Sequence, residues 1–207
     1  MKKVLIVLAL VTAFAFSADV FLVDDPIQGS GTDDLLQYDD GTAHWLWSGV
    51  SWFGTWFDVT DFIPTATGFE CDWTEWWYYH HTNSPWDTDM IVVELWSGTA
   101  SMPVTNLTSD DITALHYAPV VVNYSTPVST TTDFWTIGNT TVYSAQGIPS
   151  QLYDEFDNFT GTPHSFLSQD FILWDPPLAA GYNPNAFNRC DGTILASLDS
   201  ESWGAIK

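Results

Sequence analysis

Basic residues are nearly absent from this chain. Four of 207 are lysine or arginine, against 26 aspartates and glutamates, for a formal charge of −22. Phosphate contacts need clustered Lys and Arg, so the imbalance excludes nucleic-acid binding and makes anionic membrane surfaces poor partners. Cysteine is as scarce. Cys71 and Cys190 are the only two, and neither belongs to a Cys-x-x-Cys pair or a nucleophile motif, which argues against a zinc site or a thiol enzyme. After the N-terminus no apolar run approaches the roughly 20 residues of a spanning helix. The 3.6-residue apolar period of an amphipathic helix is missing throughout.

The N-terminus, MKKVLIVLALVTAFAFSADV, is the exception to both scarcities. Lys2 and Lys3 precede an apolar stretch from Val4 to Phe16, and small residues Ala15 and Ser17 stand just before Ala18. That is the layout of a secretory signal peptide over residues 1–17, with a secreted or cell-surface destination. Its apolar stretch is too short for a membrane anchor, so no membrane span is expected after its removal. Only Arg189 and Lys207 then remain as cations. An oxidising destination favours a Cys71–Cys190 disulfide, which would close a loop of roughly 120 residues and contribute up to about 5 kcal/mol in the chain-entropy model. The other reading is two buried thiols acting as small apolar residues.

Aromatic and β-branched residues are plentiful, and these fit half-buried pleated surfaces. In TGFECDW, Thr67, Phe69, Cys71 and Trp73 alternate with Gly68, Glu70 and Asp72. In DMIVVELW, Ile91, Val93 and Leu95 share one face. Further strands are expected at 44–48, 51–57, 119–124, 132–137, 141–145, 166–174 and 193–198, and one helical turn within 109–117. Short strands joined by turn signals predict an all-β fold, an antiparallel β-sandwich of jelly-roll type. The division is a signal peptide (1–17), an acidic lead-in segment (18–36) and one sandwich domain (37–207).

The early YDDG, the GFECDW strand, PWDTDMIVVELWSG and the later SQDFILWD together resemble secreted β-sandwich modules of uncharacterised exported bacterial proteins. The resemblance runs from about residue 37 to the C-terminus. It implies a sandwich fold and an extracellular setting, and it implies no particular activity.

Aspartates outnumber glutamates 21 to 5, which points to loops and turns. Three readings account for the acidity: structural Ca2+ bound by carboxylates, a salty habitat that screens repulsion, or a soluble exported surface without a specific ion. Asp39 and Asp40 are the candidate calcium ligands. Asp40-Gly41 is equally a tight-turn dipeptide. Glu70, Asp72, Glu75 and Glu94 could supply a glycosidase-like carboxylate pair, although alternation places Glu70 and Asp72 on a solvent face. Adjacent His80 and His81 point to opposite faces of a strand and lack metal-ligand spacing, and His44, His116 and His164 could join them only through tertiary proximity. In WTEWWYYHH, alternation sends Trp73, Trp77 and Tyr79 inward and Trp76 and Tyr78 outward, where an aromatic row would bind a ligand. The expectation is therefore an exported non-catalytic module for extracellular binding or cell-surface assembly. Its partner is a glycan or another protein subunit, with carbohydrate binding as one form. A secreted hydrolase using paired carboxylates is the alternative.

Overall fold

The computed structural model describes residues 19–22, 35–143, 148–155, 162–177 and 183–197. The expected signal peptide lies outside them. The described residues form eleven strands: β1 (Asp19–Leu22), β2 (Trp45–Ser48), β3 (Trp52–Asp58), β4 (Ala66–Trp77), β5 (Met90–Thr99), β6 (Met102–Thr113), β7 (Pro119–Thr130), β8 (Asp133–Asn139), β9 (Gln151–Tyr153), β10 (Ser165–Ser168) and β11 (Asn188–Ala196). The described residues contain no α-helix, only a 3-10 turn at Val59–Asp61 capped by the Asp58 carboxylate. The helical turn expected within 109–117 is instead the end of β6 and a corner, and 141–143 is a bend. β1 falls in the acidic lead-in segment, where no strand was expected, and pairs with β2.

All strand pairs are antiparallel, in orders β1-β2-β9, β10-β3-β8-β5-β6 and β11-β4-β7. Bridges at Tyr78–Gln151 and Tyr153–Ala186 tie the first sheet to the third, and the Trp77 N–H donates to the Phe187 carbonyl. These two sheets together face the five-stranded one, as in a β-sandwich. The core between them joins Phe69, Cys71 and Cys190 to Phe57, Leu95 and Phe134, and Trp76 and Tyr78 to Ile91 and Val93.

This last placement corrects the expected register. Asp191 pairs with Trp73 but Gly192 pairs with Cys71, so Asp72 is an extra residue, a β-bulge. The bulge flips every later side chain. Phe69 and Cys71 point inward, and from Thr74 the inward residues are even-numbered, so Trp76 and Tyr78 are buried at 1 % and 0 % exposure. They form no outer aromatic row. Trp77 lies on the opposite face and is also buried, against Leu46, Leu152 and Phe187. Trp73 is half-buried.

The expected disulfide is also absent. Cys71 and Cys190 are free, fully buried thiols 4.4 Å apart. The bulged register sets Cys190 opposite Thr74 and Cys71 opposite Gly192. The Cys71 thiol donates to the Trp73 carbonyl at 3.3 Å, and burial pushes the Cys190 thiol well above its ordinary range.

The aromatic excess is absorbed because both outer faces are partly covered, at Trp77 by Leu46 of β2 and Leu152 of β9, and over the five-stranded sheet by irregular chain. Over the five-stranded sheet, a strap at 169–175 lays Phe171 against Trp52 and Trp96 and Trp174 against Trp135. The ELW and FILW motifs thus meet in one cluster. Gly54 makes room for the strap, since a Cβ there would stand 2.7 Å from Trp174 and 3.1 Å from Trp135. Gly54→Ala is expected to cost about 1–3 kcal/mol by overpacking. Urea unfolding checks this, and an unchanged midpoint would mean that the strap yields freely.

Candidate functional site: the His80–Trp86 cleft

β4 ends at Trp77, and the chain continues through Tyr78, Tyr79, His80 and His81 into the turn that returns to β5. The corner between β6 and β7 lies beside it, joined by Ala114 N–H to Asp89 O at 2.7 Å and Tyr117 N–H to Tyr78 O at 2.9 Å. Between loop and corner opens a cleft of about 400 Å3, lined by His80, Trp86, Asp87, Thr88, Asp89 and Ala114. The His80 ring stacks on Trp86, with centroids 4.9 Å apart and planes inclined by 19°. Tyr79 packs edge-on against His116 and Tyr117.

Imidazole lone pairs hold the loop. His80 Nε2 accepts from the Trp86 N–H at 3.1 Å, His116 Nδ1 from the His80 N–H at 2.9 Å, and His81 Nδ1 from the Asn83 N–H at 3.1 Å. The Thr88 hydroxyl accepts from the Met90 N–H at 3.1 Å. The Trp86 indole N–H is shielded from solvent and has no partner. The cleft therefore offers an aromatic wall, a hydroxyl and the carboxylates of Asp87 and Asp89. A ligand rich in hydroxyl groups suits such a lining, and an anion does not.

The other sequence candidates lie elsewhere. Asp39 is buried, with both carboxylate oxygens on the Arg189 guanidinium and the Gly41 N–H on one of them. Asp40 is exposed and accepts from the Thr42 N–H at 2.8 Å, while Gly41 has a φ of 81° that suits glycine. Both Asp39 oxygens and one Asp40 oxygen are thus engaged by protein groups at a turn. No group of three or more His, Cys, Asp or Glu side chains placed to hold a metal ion occurs among the described residues.

The four acids considered for catalysis do not converge. Glu75 accepts from Arg189 at 3.0 Å and from the Trp77 indole at 2.8 Å. Glu94 lies on the outer face of the five-stranded sheet, where Trp96 and Asn139 donate to it at 2.6 and 3.1 Å. Glu70 is half-buried and Asp72 exposed. His164 is buried between Tyr38 and Trp56, with stacked centroids at 3.6 and 5.1 Å. His44 packs edge-on against Trp45. Neither belongs to the cleft.

Near Arg189, Asp154 is buried and accepts from the backbone N–H groups of Asn185 and Asp40. Burial raises its carboxyl to about 8, assisted by the charges of Asp39 and Asp40 and opposed by the Asn185 hydrogen bonds. Burial also pushes the Asp39 carboxyl upward, while Arg189 and Gly41 pull it back. Burial alone would lower the Arg189 pKa, but Asp39 and Glu75 outweigh it and keep the guanidinium firmly charged.

Sequence reasoning missed Trp86, Asp87 and Asp89 because NSPWDTD reads as an ordinary turn, and it set His116 in a helical segment. A tryptophan inside an otherwise polar, aspartate-rich turn was the available signal. No protein-family model matches the chain, and neither a curated protein nor a solved structure does.

Proposed function

We propose that this chain is an exported, non-catalytic β-sandwich module that binds a glycan in the His80–Trp86 cleft. The supporting observation is the stacked His80–Trp86 wall flanked by Asp87, Thr88 and Asp89. Sugar rings present C–H faces to aromatic surfaces, and their hydroxyls donate to carboxylates. The acidic composition favours neutral or cationic sugars over uronates and sulfated chains. The extracellular setting follows from the N-terminal secretory pattern.

A panel of neutral and amino-sugar oligosaccharides, titrated calorimetrically, tests the reading. A bound glycan is expected, and Trp86→Ala should weaken it about tenfold, or ~1.4 kcal/mol, with the fold intact by circular dichroism. Failure of the whole panel, or undiminished binding by the variant, would overturn the assignment. Release of shortened sugars during the titration would instead favour the hydrolase alternative.

A further inference from the structure

Three histidines of one small region accept backbone N–H groups, and each does so with a lone pair that exists only in a deprotonated ring nitrogen. His80 Nε2 closes the loop onto Trp86, His116 Nδ1 fastens His80 to the β6–β7 corner, and His81 Nδ1 shapes the turn between. Protonation turns each nitrogen into a donor pointed at another donor. The titratable groups beside them are Asp87 and Asp89 in the cleft, Tyr79 two residues beyond β4, and Tyr117 in the corner. Among the described residues the only lysine or arginine is Arg189, which is occupied with Asp39 and Glu75. A protonated His80 therefore loses its amide partner while two carboxylates in the same cleft attract its charge.

We propose that the wall of the His80–Trp86 cleft is an acid-released latch, closed while His80, His81 and His116 are neutral and opened by their protonation. Resting on the glycan-binding reading, this makes ligand retention a property of neutral surroundings and release a property of acidic ones. The sign follows from the acceptors. Closure consumes neutral imidazole, so its stability is present at higher pH and is lost as pH falls. His80 and His116 are exposed, so the switch acts on the loop and leaves the sandwich core in place.

Nuclear magnetic resonance on the ligand-free protein tests the latch separately from any glycan. Long-range proton–nitrogen spectra identify which ring nitrogens carry protons, and amide exchange reports the three backbone donors. At pH 8 the lone pairs should sit on Nε2 of His80 and Nδ1 of His81 and His116, with the amides of His80, Asn83 and Trp86 protected. Towards pH 5 those amides should lose protection, after correction for intrinsic exchange, in step with ring protonation. The triple variant His80→Gln, His81→Asn, His116→Asn replaces each acceptor nitrogen by an amide oxygen at a similar reach, and it should keep the three amides protected at pH 5. Amides that stay protected in wild type while the rings are fully protonated would overturn the proposal. So would a triple variant that loses protection over the same pH range as wild type. Acid opening without glycan binding at any pH would sink the glycan reading and leave the latch standing.

Discussion

Replacing Arg189 by methionine is expected to destabilise the fold by about 3–5 kcal/mol, the usual consequence of removing one member of a buried ion pair. Arg189 is 1 % exposed. Its Nε and Nη2 grip both oxygens of Asp39, its Nη1 donates to Glu75 at 3.0 Å, and its guanidinium lies 5.3 Å from the Phe187 ring centroid. One side chain thus joins β11 to β4 and to the Tyr38–Gly41 turn. Methionine fills much of the volume, so the expected loss comes from two buried carboxylates left facing each other without a cation.

That cause can be separated from packing. The triple variant Arg189→Met, Asp39→Asn, Glu75→Gln removes all three charges. The Trp77 indole, which donates to Glu75 in the wild type, can still donate to the amide oxygen put in place of that carboxylate. Neutral replacement of a buried triad is often close to harmless, so the triple variant should recover most of the loss. Urea midpoints for the two proteins decide the matter. A single variant that costs under about 1 kcal/mol, or a triple variant no better than the single, would show that the ion pairs do not hold this layer.

Much of the frame was legible in the chain, and its failures have definite causes. Alternation in DMIVVELW located β5 and its inward face, because Ile91, Val93 and Leu95 all bury. The same argument held in TGFECDW for Phe69 and Cys71 and failed on either side of them, where Thr67 and Asp72 are each an extra residue. A bulge at Asp72 has no local signature, yet it exchanges the faces of everything that follows. The assumption that one face of a strand must be wet failed for a second reason. Both outer faces are partly covered, one by Phe171 and Trp174 of the strap and the other, at Trp77, by Leu46 and Leu152. Strap contacts are tertiary, so period-two reasoning counts their rings as surplus. Arg189 and Asp39 stand 150 positions apart. Only the fold shows that the chain's single arginine is spent in its interior. Likewise, Ala114 and Trp86 reach one cleft from different loops.

Asp154 should make the fold less stable as pH rises across the neutral range. Its carboxyl, raised by burial from 3.8 to about 8, is held protonated by the fold over a range in which the unfolded chain would ionise it. The stabilisation from this group is fully present below about pH 4 and is lost as pH climbs through about 8, where the buried group must ionise or the chain must open. The gap between those two values sets a ceiling of about 5–6 kcal/mol, at up to ~1.4 kcal/mol per pH unit. Asp154→Asn isolates the effect. Asparagine keeps an oxygen for the Asn185 N–H, donor to Asp154 at 2.6 Å, but turns an NH2 group towards the Asp40 N–H. That mismatch costs the same at every pH, so it offsets the variant's curve without tilting it. Groups that titrate identically in both proteins cancel in the difference. Between about pH 5 and pH 8 the wild type should therefore lose stability relative to Asp154→Asn, with a slope approaching one proton, and above that range the difference should level off. Two parallel curves would mean that Asp154 is already ionised in the fold at pH 5. The N–H donors around it, from Asp40 and Asn185, would then have outweighed the cost of burying its charge.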